Sequence, residues 1–356
     1  MYTALPKETP IKMTAIKNRD LFLDIAKGLA IILVVVGHVV QGSSPNFDDL
    51  LWFKVIYSFH MPLFVFLSGA VAAIAFKSDR VEEGVKAALQ QAMTRIAKAV
   101  VRLLIPFIAW CLINQLIYHH SESVVSALVL AFRRPDTALW FLLAIFYCIV
   151  LAELFNIFYS VIYQVAIRGG LKKLAKWIAD GRVQIILMIL IWWAIREHTP
   201  RGAGLSLIRP YFIYYVLGIA FYKYVYLNLS MWKYLPAWII FITLIPFWSR
   251  TATDNIDRTV ILPGELTYFY AGLVSLSGSF LILSIAKWVT ETQIKVLKSF
   301  LVLCGQLSLG IYAIHYFFLA FSPKVLAPLL ISIALTYGIN KIPVLRIVLL
   351  GEKGLL

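Results

Sequence analysis

The feature that most constrains this chain is a succession of long apolar segments separated by short polar ones. A helix that spans a bilayer needs about 20 mainly apolar residues. Hydrophobic residues make up 61% of the 356 residues and charged residues only 14%, whereas about a quarter of a soluble domain is charged. The sequence therefore predicts an all-α, polytopic membrane helix bundle of about ten transmembrane helices, not a soluble enzyme, and the predicted spans lie near 21–40, 50–76, 99–118, 138–164, 183–195, 206–222, 234–248, 262–286, 299–321 and 325–340.

The basic residues alternate between the two sides of this predicted bundle. Of the 33 Lys and Arg residues, 22 fall in segments on one side and 7 on the other. Cytoplasmic segments of membrane proteins carry the excess of Lys and Arg. We therefore expect both termini in the cytoplasm, with an N-terminal segment at 1–20, a membrane domain at 21–340 and a tail at 341–356. The same asymmetry explains the net charge of +15 without a nucleic-acid partner.

The first predicted span carries three ionisable residues, Asp24, Lys27 and His38. Lys27 and His38 are three helical turns apart, so they share one face at a separation of roughly 16 Å. Ionisable residues inside a membrane are costly and often mark functional sites. The alternatives are structural: Asp24 and Lys27 could form a stabilising pair at the interface, and His38 could hydrogen-bond a neighbouring helix.

The second and third predicted spans carry further polar groups. His60 precedes Pro62, and proline removes a backbone donor and makes room for a cavity. Arg95, Lys98 and Arg102 recur at helical spacing and form one basic face. Such a face can contact anionic membrane lipids, but guanidinium groups also pair well with phosphates, which suits an anionic ligand.

The remaining charged residues and the cysteines in apolar segments give little indication of function. Glu153 and Arg209 are charges in apolar segments to which the sequence assigns no separate mechanism. The three cysteines, Cys111, Cys148 and Cys304, are isolated in apolar runs. Neither a disulfide framework nor a metal site is therefore expected.

Six segments, in order along the chain, resemble motifs of the membrane-bound acyltransferase-3 family, which O-acylates bacterial glycans. Lys27 and His38 match a first-span signature of a basic residue, ten others and a histidine, although arginine is commoner at the first position. Beside these six, Arg95-x-x-Lys98 has the spacing of the family's Arg-x-x-Arg motif, and Arg102 is offset by four residues. The other similar segments are FHMPLFVFLSG (59–69), RLLIPF (102–107), ALWFLLAIF (138–146), GQLSLGIYAIH (305–315) and KIPVLRIVLLG (341–351).

The resemblance implies acyl transfer from a cytoplasmic acyl-CoA, usually acetyl-CoA, to a sugar hydroxyl on the outer face of the bacterial plasma membrane. His38 would be the general base or a transient acyl carrier, Lys27 would orient the donor, and Asp24 would balance its charge. Acyl-CoA would be a co-substrate, with no permanently bound cofactor. Its phosphates would bind a basic group, Arg95, Lys98 and Arg102. The substrate cavity, or merely the packing around it, would include His60, Ser68, Trp140, Arg209, Ser308, Tyr312 and His315.

Two other classes of protein fit the same composition. A glycolipid flippase or transporter also has many spans and buried charges, but it typically shows internal repeats and paired broken helices. A glycan polymerase or ligase would not need an acyl donor. A direct test of acyl-CoA binding separates both from an acyltransferase.

Overall fold

The computed structural model describes residues 20–75, 81–115, 117, 123–133, 139–200, 202–226, 230–249 and 264–352. These residues form helices and no β-strand, which confirms the all-α prediction for this part of the chain. The predicted N-terminal segment lies outside it except for Asp20. The α-helices are α1 (Leu21–Gln41), α2 (Leu51–Tyr57), α3 (His60–Ala75), α4 (Val85–Ala99), α5 (Ile105–Asn114), α6 (Val124–Arg133), α7 (Trp140–Arg168), α8 (Lys172–Ala179), α9 (Gly181–Ile195), α10 (Ile208–Ala220), α11 (Leu235–Leu244), α12 (Gly264–Glu291), α13 (Lys295–Gln306), α14 (Ser308–Ile314), α15 (Leu326–Asn340) and α16 (Pro343–Leu350).

The helices are long and apolar enough for a multi-pass membrane protein. In the described ranges six helical stretches could each cross a membrane, and two further pairs, bent by 82° and 68°, would bring the number to eight. Two shorter apolar helices, Met231–Phe247 and Leu326–Asn340, fall where the seventh and tenth spans are predicted. Ten spans, and the cytoplasmic placement of both termini, stay predictions.

The first span, α1, is fixed at its N-terminus by Asp20. The Asp20 carboxylate accepts a hydrogen bond of 3.2 Å from the backbone N–H of Leu23, which caps the helix. Tyr222 and Tyr226 donate to the same carboxylate over 3.2 and 3.3 Å. The start of α1 is thereby tied to the end of the sixth predicted span.

Glycines allow the central helices to approach closely. A Cβ atom at Gly28 would overlap the carbonyl of Leu301, and one at Gly305 would overlap the carbonyl of Asp24, so α1 and α13 cross with backbones in contact. Gly69 of α3 and Gly218 of α10 provide the same kind of crossing. Small residues at such crossings stabilise helix pairs in lipid, where no hydrophobic driving force acts between them.

A π-helical segment at Val100–Leu104 joins α4 to α5. Pro106 has no N–H to donate to the carbonyl of Arg102, four residues earlier, and this accounts for the wider turn. The backbone of Gly351, which has a φ of 66°, is pressed against the Arg102 backbone. The tail helix α16 lies against α5, where the indole N–H of Trp110 donates to the Leu349 carbonyl over 2.9 Å.

Candidate active site

A cavity of about 350 Å³ lies among α1, α3, α4, the π-helical segment, α7, α10 and α14. Its wall is mainly aliphatic and aromatic. The polar lining residues include seven that the sequence predicts to bind a donor or substrate. The polar lining comprises Lys27, Ser68, Arg95, Lys98, Arg102, Glu153, Tyr215, Ser308 and Tyr312. We call this space the basic cavity.

Two of its cations are neutralised by carboxylates. The ammonium of Lys27 lies 2.6 Å from Oδ1 of Asp24, one helical turn earlier on α1. Nη1 of Arg95 donates to Oε1 of Glu153 over 2.5 Å, which links α4 to α7. Asn156 donates to the other oxygen of Glu153 over 3.1 Å. Glu153, which the sequence left without a mechanism, therefore compensates one charge of the basic face.

The other two cations of the cavity, Lys98 and Arg102, are placed differently. Both are exposed, and neither forms an ion pair or a side-chain hydrogen bond with another described residue. They lie one turn apart, Lys98 on α4 and Arg102 in the π-helical segment. Their charges are available to an anionic ligand, and such charge-assisted hydrogen bonds are among the stronger polar contacts in proteins.

His38 is not part of the cavity lining and lies in a separate group of polar and aromatic side chains. Nδ1 of His38 lies 3.3 Å from Oε1 of Gln41 and 3.3 Å from the hydroxyl of Tyr57, and this hydroxyl donates to Gln41 over 2.6 Å. The rings of His315 and Tyr316 lie 5.3 and 5.8 Å from that of His38. We call these five residues the histidine cluster.

The contacts of His38 assign its tautomer. Oε1 of Gln41 can only accept hydrogen bonds, so Nδ1 of His38 carries the proton at this contact. The lone pair then lies on Nε2. An imidazole held in this form can accept a proton at Nε2, which is the requirement for a general base.

The cluster and the basic cavity meet at Tyr312. Tyr312 lines the cavity, and its ring centroid lies 6.3 Å from that of His315. His315 in turn lies against His38. Three neighbouring rings thus connect the cavity wall to the histidine of the first span. The break between α13 and α14, where the chain bends by 68°, directs Ser308 and Tyr312 to the cavity.

Three other predicted site residues lie outside the cavity lining. His60 is buried, its Nδ1 donates to the Ile56 carbonyl over 2.9 Å, and its ring contacts Tyr57 of the histidine cluster. Trp140 begins α7 and lies against the ring of Tyr211 at 5.3 Å. Arg209 forms an ion pair with Glu197. Their participation in a substrate site stays a prediction.

The structure adds residues that the sequence did not single out. Gln41 lies one turn after His38 on the same helix, so helical spacing could have indicated it. Tyr57 and Tyr316 reach His38 only through the packing of other helices, and no local pattern indicates them. Within the described ranges no group of three His, Cys, Asp or Glu residues could hold a metal ion.

A family model described as an acyltransferase domain matches residues 20–350. The chain belongs to the acyltransferase-3 family. The chain is similar to Nodulation protein NolL of Sinorhizobium fredii (strain NBRC 101917 / NGR234), with 29% identity over 213 residues, which is 57% of this chain and 49% of the relative. It is also similar to Nodulation protein NolL of Mesorhizobium japonicum (strain LMG 29417 / CECT 9101 / MAFF 303099), with 25% identity over 239 residues, covering 65% and 55% of the two chains.

The matched region spans about half the length of these curated relatives. No solved structure matches the chain. The family match confirms the resemblance found in the sequence.

Proposed function

We propose that this acyltransferase moves an acyl group, most simply acetyl, from cytoplasmic acyl-CoA to a hydroxyl of a glycan or lipid-linked oligosaccharide on the outer face of the bacterial plasma membrane. The observation that carries the proposal is the basic cavity, which contains two cations without ion partners among the described residues. Its wall residue Tyr312 lies beside His315, which lies beside His38.

The cavity suits both the phosphates and the thioester arm of an acyl-CoA donor. Lys98 and Arg102 offer charge to the phosphates of the donor, and the mainly apolar wall suits its long thioester arm. A volume of about 350 Å³ falls within the range of small-ligand pockets, about 300–1,000 Å³. The 22 basic residues on the predicted cytoplasmic side support entry of the donor from that side.

Pairing of Lys27 and Arg95 with carboxylates limits the positive charge that the cavity presents. With both paired, Lys98 and Arg102 are the cations that compete for phosphate. Lys27 and Asp24 then act chiefly by shaping the wall near the donor. Acyl-CoA is a substrate in this account, and the reaction needs no resident cofactor.

His38 supplies the base. A sugar hydroxyl is a weak nucleophile near neutral pH, and an imidazole with a lone pair on Nε2 can take its proton. The hydroxyl oxygen forms a bond to the acyl carbon while the carbon–sulfur bond breaks. The sulfur leaves with the electron pair as CoA thiolate, and the proton that His38 removed finally neutralises it.

The test is acyl transfer in membrane vesicles prepared from a bacterial strain that lacks its own copy of the enzyme and produces this protein. Radiolabelled acetyl-CoA is supplied on the cytoplasmic side, and alkali-labile label is measured in the glycan fraction. We expect transfer that depends on the protein. Absence of acetyl-CoA binding together with altered glycan export or chain length would instead support a flippase or a polymerase.

A further inference from the structure

His315 has one ring nitrogen that the fold uses and one that it does not. Its Nδ1 donates to the carbonyl of Ile311, one turn earlier, over 2.9 Å. Because a carbonyl only accepts, Nδ1 carries the proton and Nε2 keeps its lone pair. The residue is 2% exposed, and Nε2 has no hydrogen-bond partner among the described residues.

A buried acceptor without a donor is costly. Leaving one unsatisfied costs about 1–3 kcal/mol, and such atoms in native proteins call for an explanation. Local structure does not provide one here, because the bond to Ile311 needs only Nδ1. A side chain with a single N–H donor could make the hydrogen bond to the Ile311 carbonyl as well as histidine does.

The position of His315 supplies a role for Nε2. Its ring lies between that of His38, at 5.3 Å, and that of Tyr312, at 6.3 Å, so it separates the base from the cavity wall. Two imidazoles joined edge to edge by an N–H···N hydrogen bond have ring centroids roughly 5 Å apart. The observed separation of 5.3 Å is close to that value, and the proton passes when the two rings turn to join Nε2 of His315 to His38, since no such bond is present in the structure.

We propose that His315 is the second member of a proton relay that carries the acceptor's proton from His38 to the leaving thiolate. This proposal rests on the proposed acyl transfer. The hydroxyl proton moves to Nε2 of His38 as the ester bond forms and the carbon–sulfur bond breaks. It then passes to Nε2 of His315, and His315 delivers it to the CoA thiolate in the cavity. Both imidazoles return to neutral, and ester and CoA thiol are the products.

The relay explains why His38 lies beside the cavity proposed for acyl-CoA and not inside it. His38 is partly exposed and can meet an acceptor from outside the cavity, whereas Tyr312 lines the cavity in which the donor would lie. A single fixed imidazole would have to reach both the hydroxyl and the sulfur. Two neighbouring imidazoles divide these tasks, because His38 is the partly exposed one and His315 adjoins Tyr312 of the cavity wall.

His315→Asn is the decisive variant. The amide nitrogen of Asn can take the place of Nδ1 and keep the bond to the Ile311 carbonyl, but no atom replaces Nε2. Ser332→Ala is the matched control, because Ser332 on α15 also has a buried side-chain oxygen without a partner among the described residues. Acetyl-CoA binding and the amount of protein in the membrane are measured for each variant.

In the vesicle assay we expect His315→Asn to lose about 100-fold in the rate of acetyl transfer, a typical contribution of one acid–base group. Acetyl-CoA binding should be unchanged, and Ser332→Ala should transfer at the wild-type rate. The loss should appear in kcat, and KM for acetyl-CoA should stay at the wild-type value.

Three outcomes decide between the claims. Wild-type transfer with a rate for His315→Asn within twofold of it would overturn the relay and leave the proposed function standing. A loss confined to KM, with kcat at the wild-type value, would overturn the relay as well. No transfer from acetyl-CoA by the wild type, with acetyl-CoA binding absent, would overturn the proposed function itself.

Discussion

The hydroxyl of Tyr57 donates a hydrogen bond of 2.6 Å to the side-chain carbonyl of Gln41, and the same carbonyl oxygen lies 3.3 Å from Nδ1 of His38. One acceptor thus joins α1 to α2 and fixes the tautomer of the histidine. His38 is thereby held with Nε2 as its basic nitrogen. The arrangement resembles the general use of a third group to orient a catalytic imidazole.

Removing the group that orients His38 should slow acyl transfer without weakening the binding of acetyl-CoA. Gln41→Leu deletes the acceptor, and loss of a hydrogen bond of about 1 kcal/mol corresponds to a roughly fivefold to tenfold lower kcat. Tyr57→Phe should have a smaller effect, because Gln41 can still accept from Nδ1 of His38. The measurement is kcat and KM for acetyl-CoA. A change confined to KM would contradict the orienting role.

The two cations of the cavity without ion partners among the described residues should dominate donor affinity. Lys98→Gln or Arg102→Gln should each weaken acetyl-CoA binding, because a hydrogen bond to a charged group is worth about 1.5–3 kcal/mol, or about 10- to 100-fold in Kd. Lys287→Gln is the control, because Lys287 pairs with Glu291 and does not line the cavity. Calorimetry in detergent gives the Kd values, and equal affinities for all three variants would refute the assignment.

Removing one member of the Arg95–Glu153 pair should destabilise the protein more than removing both members. Both side chains are largely buried, and removing one member of a buried pair leaves an uncompensated charge at a cost of about 3–5 kcal/mol. Glu153→Leu should therefore lower the melting temperature, whereas Arg95→Met combined with Glu153→Leu should recover much of the loss. Thermal unfolding is followed by tryptophan fluorescence in detergent. Equal melting temperatures for the single and double variants would speak against a coupled pair.

Gly351 should be required for donor binding although it lies at the end of the described chain. A side chain there meets the backbone of Arg102 and would also be strained at a φ of 66°. Gly351→Ala should displace the π-helical segment and weaken acetyl-CoA binding. Gly338→Ala is the matched control, since a Cβ there meets nothing within 4 Å and alanine favours a helix interior. Equal donor affinity in the two variants would exclude a link between the tail and Arg102.

The sequence was informative wherever one helix carries the whole pattern. Apolar length indicates the helices, and helical spacing places Lys98 and Arg102 on one face, because both depend only on residues close in the chain. The same holds for the neighbouring positions of Asp24 and Lys27, whose pairing was an open alternative and is present in the structure.

The remaining contacts depend on packing between helices. Glu153 pairs with Arg95 because α7 lies against α4, and Tyr57 reaches His38 because α2 folds beside the end of α1. A glycine after an apolar helix indicates a helix end at Gly351. It does not indicate that this end lies on the backbone of Arg102, since the tail must first fold back onto α5.

The most direct test of the account is acetyl transfer by His38→Ala in the vesicle assay. Lys27 and the cations of the basic cavity are unchanged in this variant, so we expect normal membrane insertion and acetyl-CoA binding at the wild-type Kd. Transfer of labelled acetyl to glycan should fall by at least about 100-fold. Transfer at the wild-type rate would contradict the central claim that His38 activates the acceptor hydroxyl.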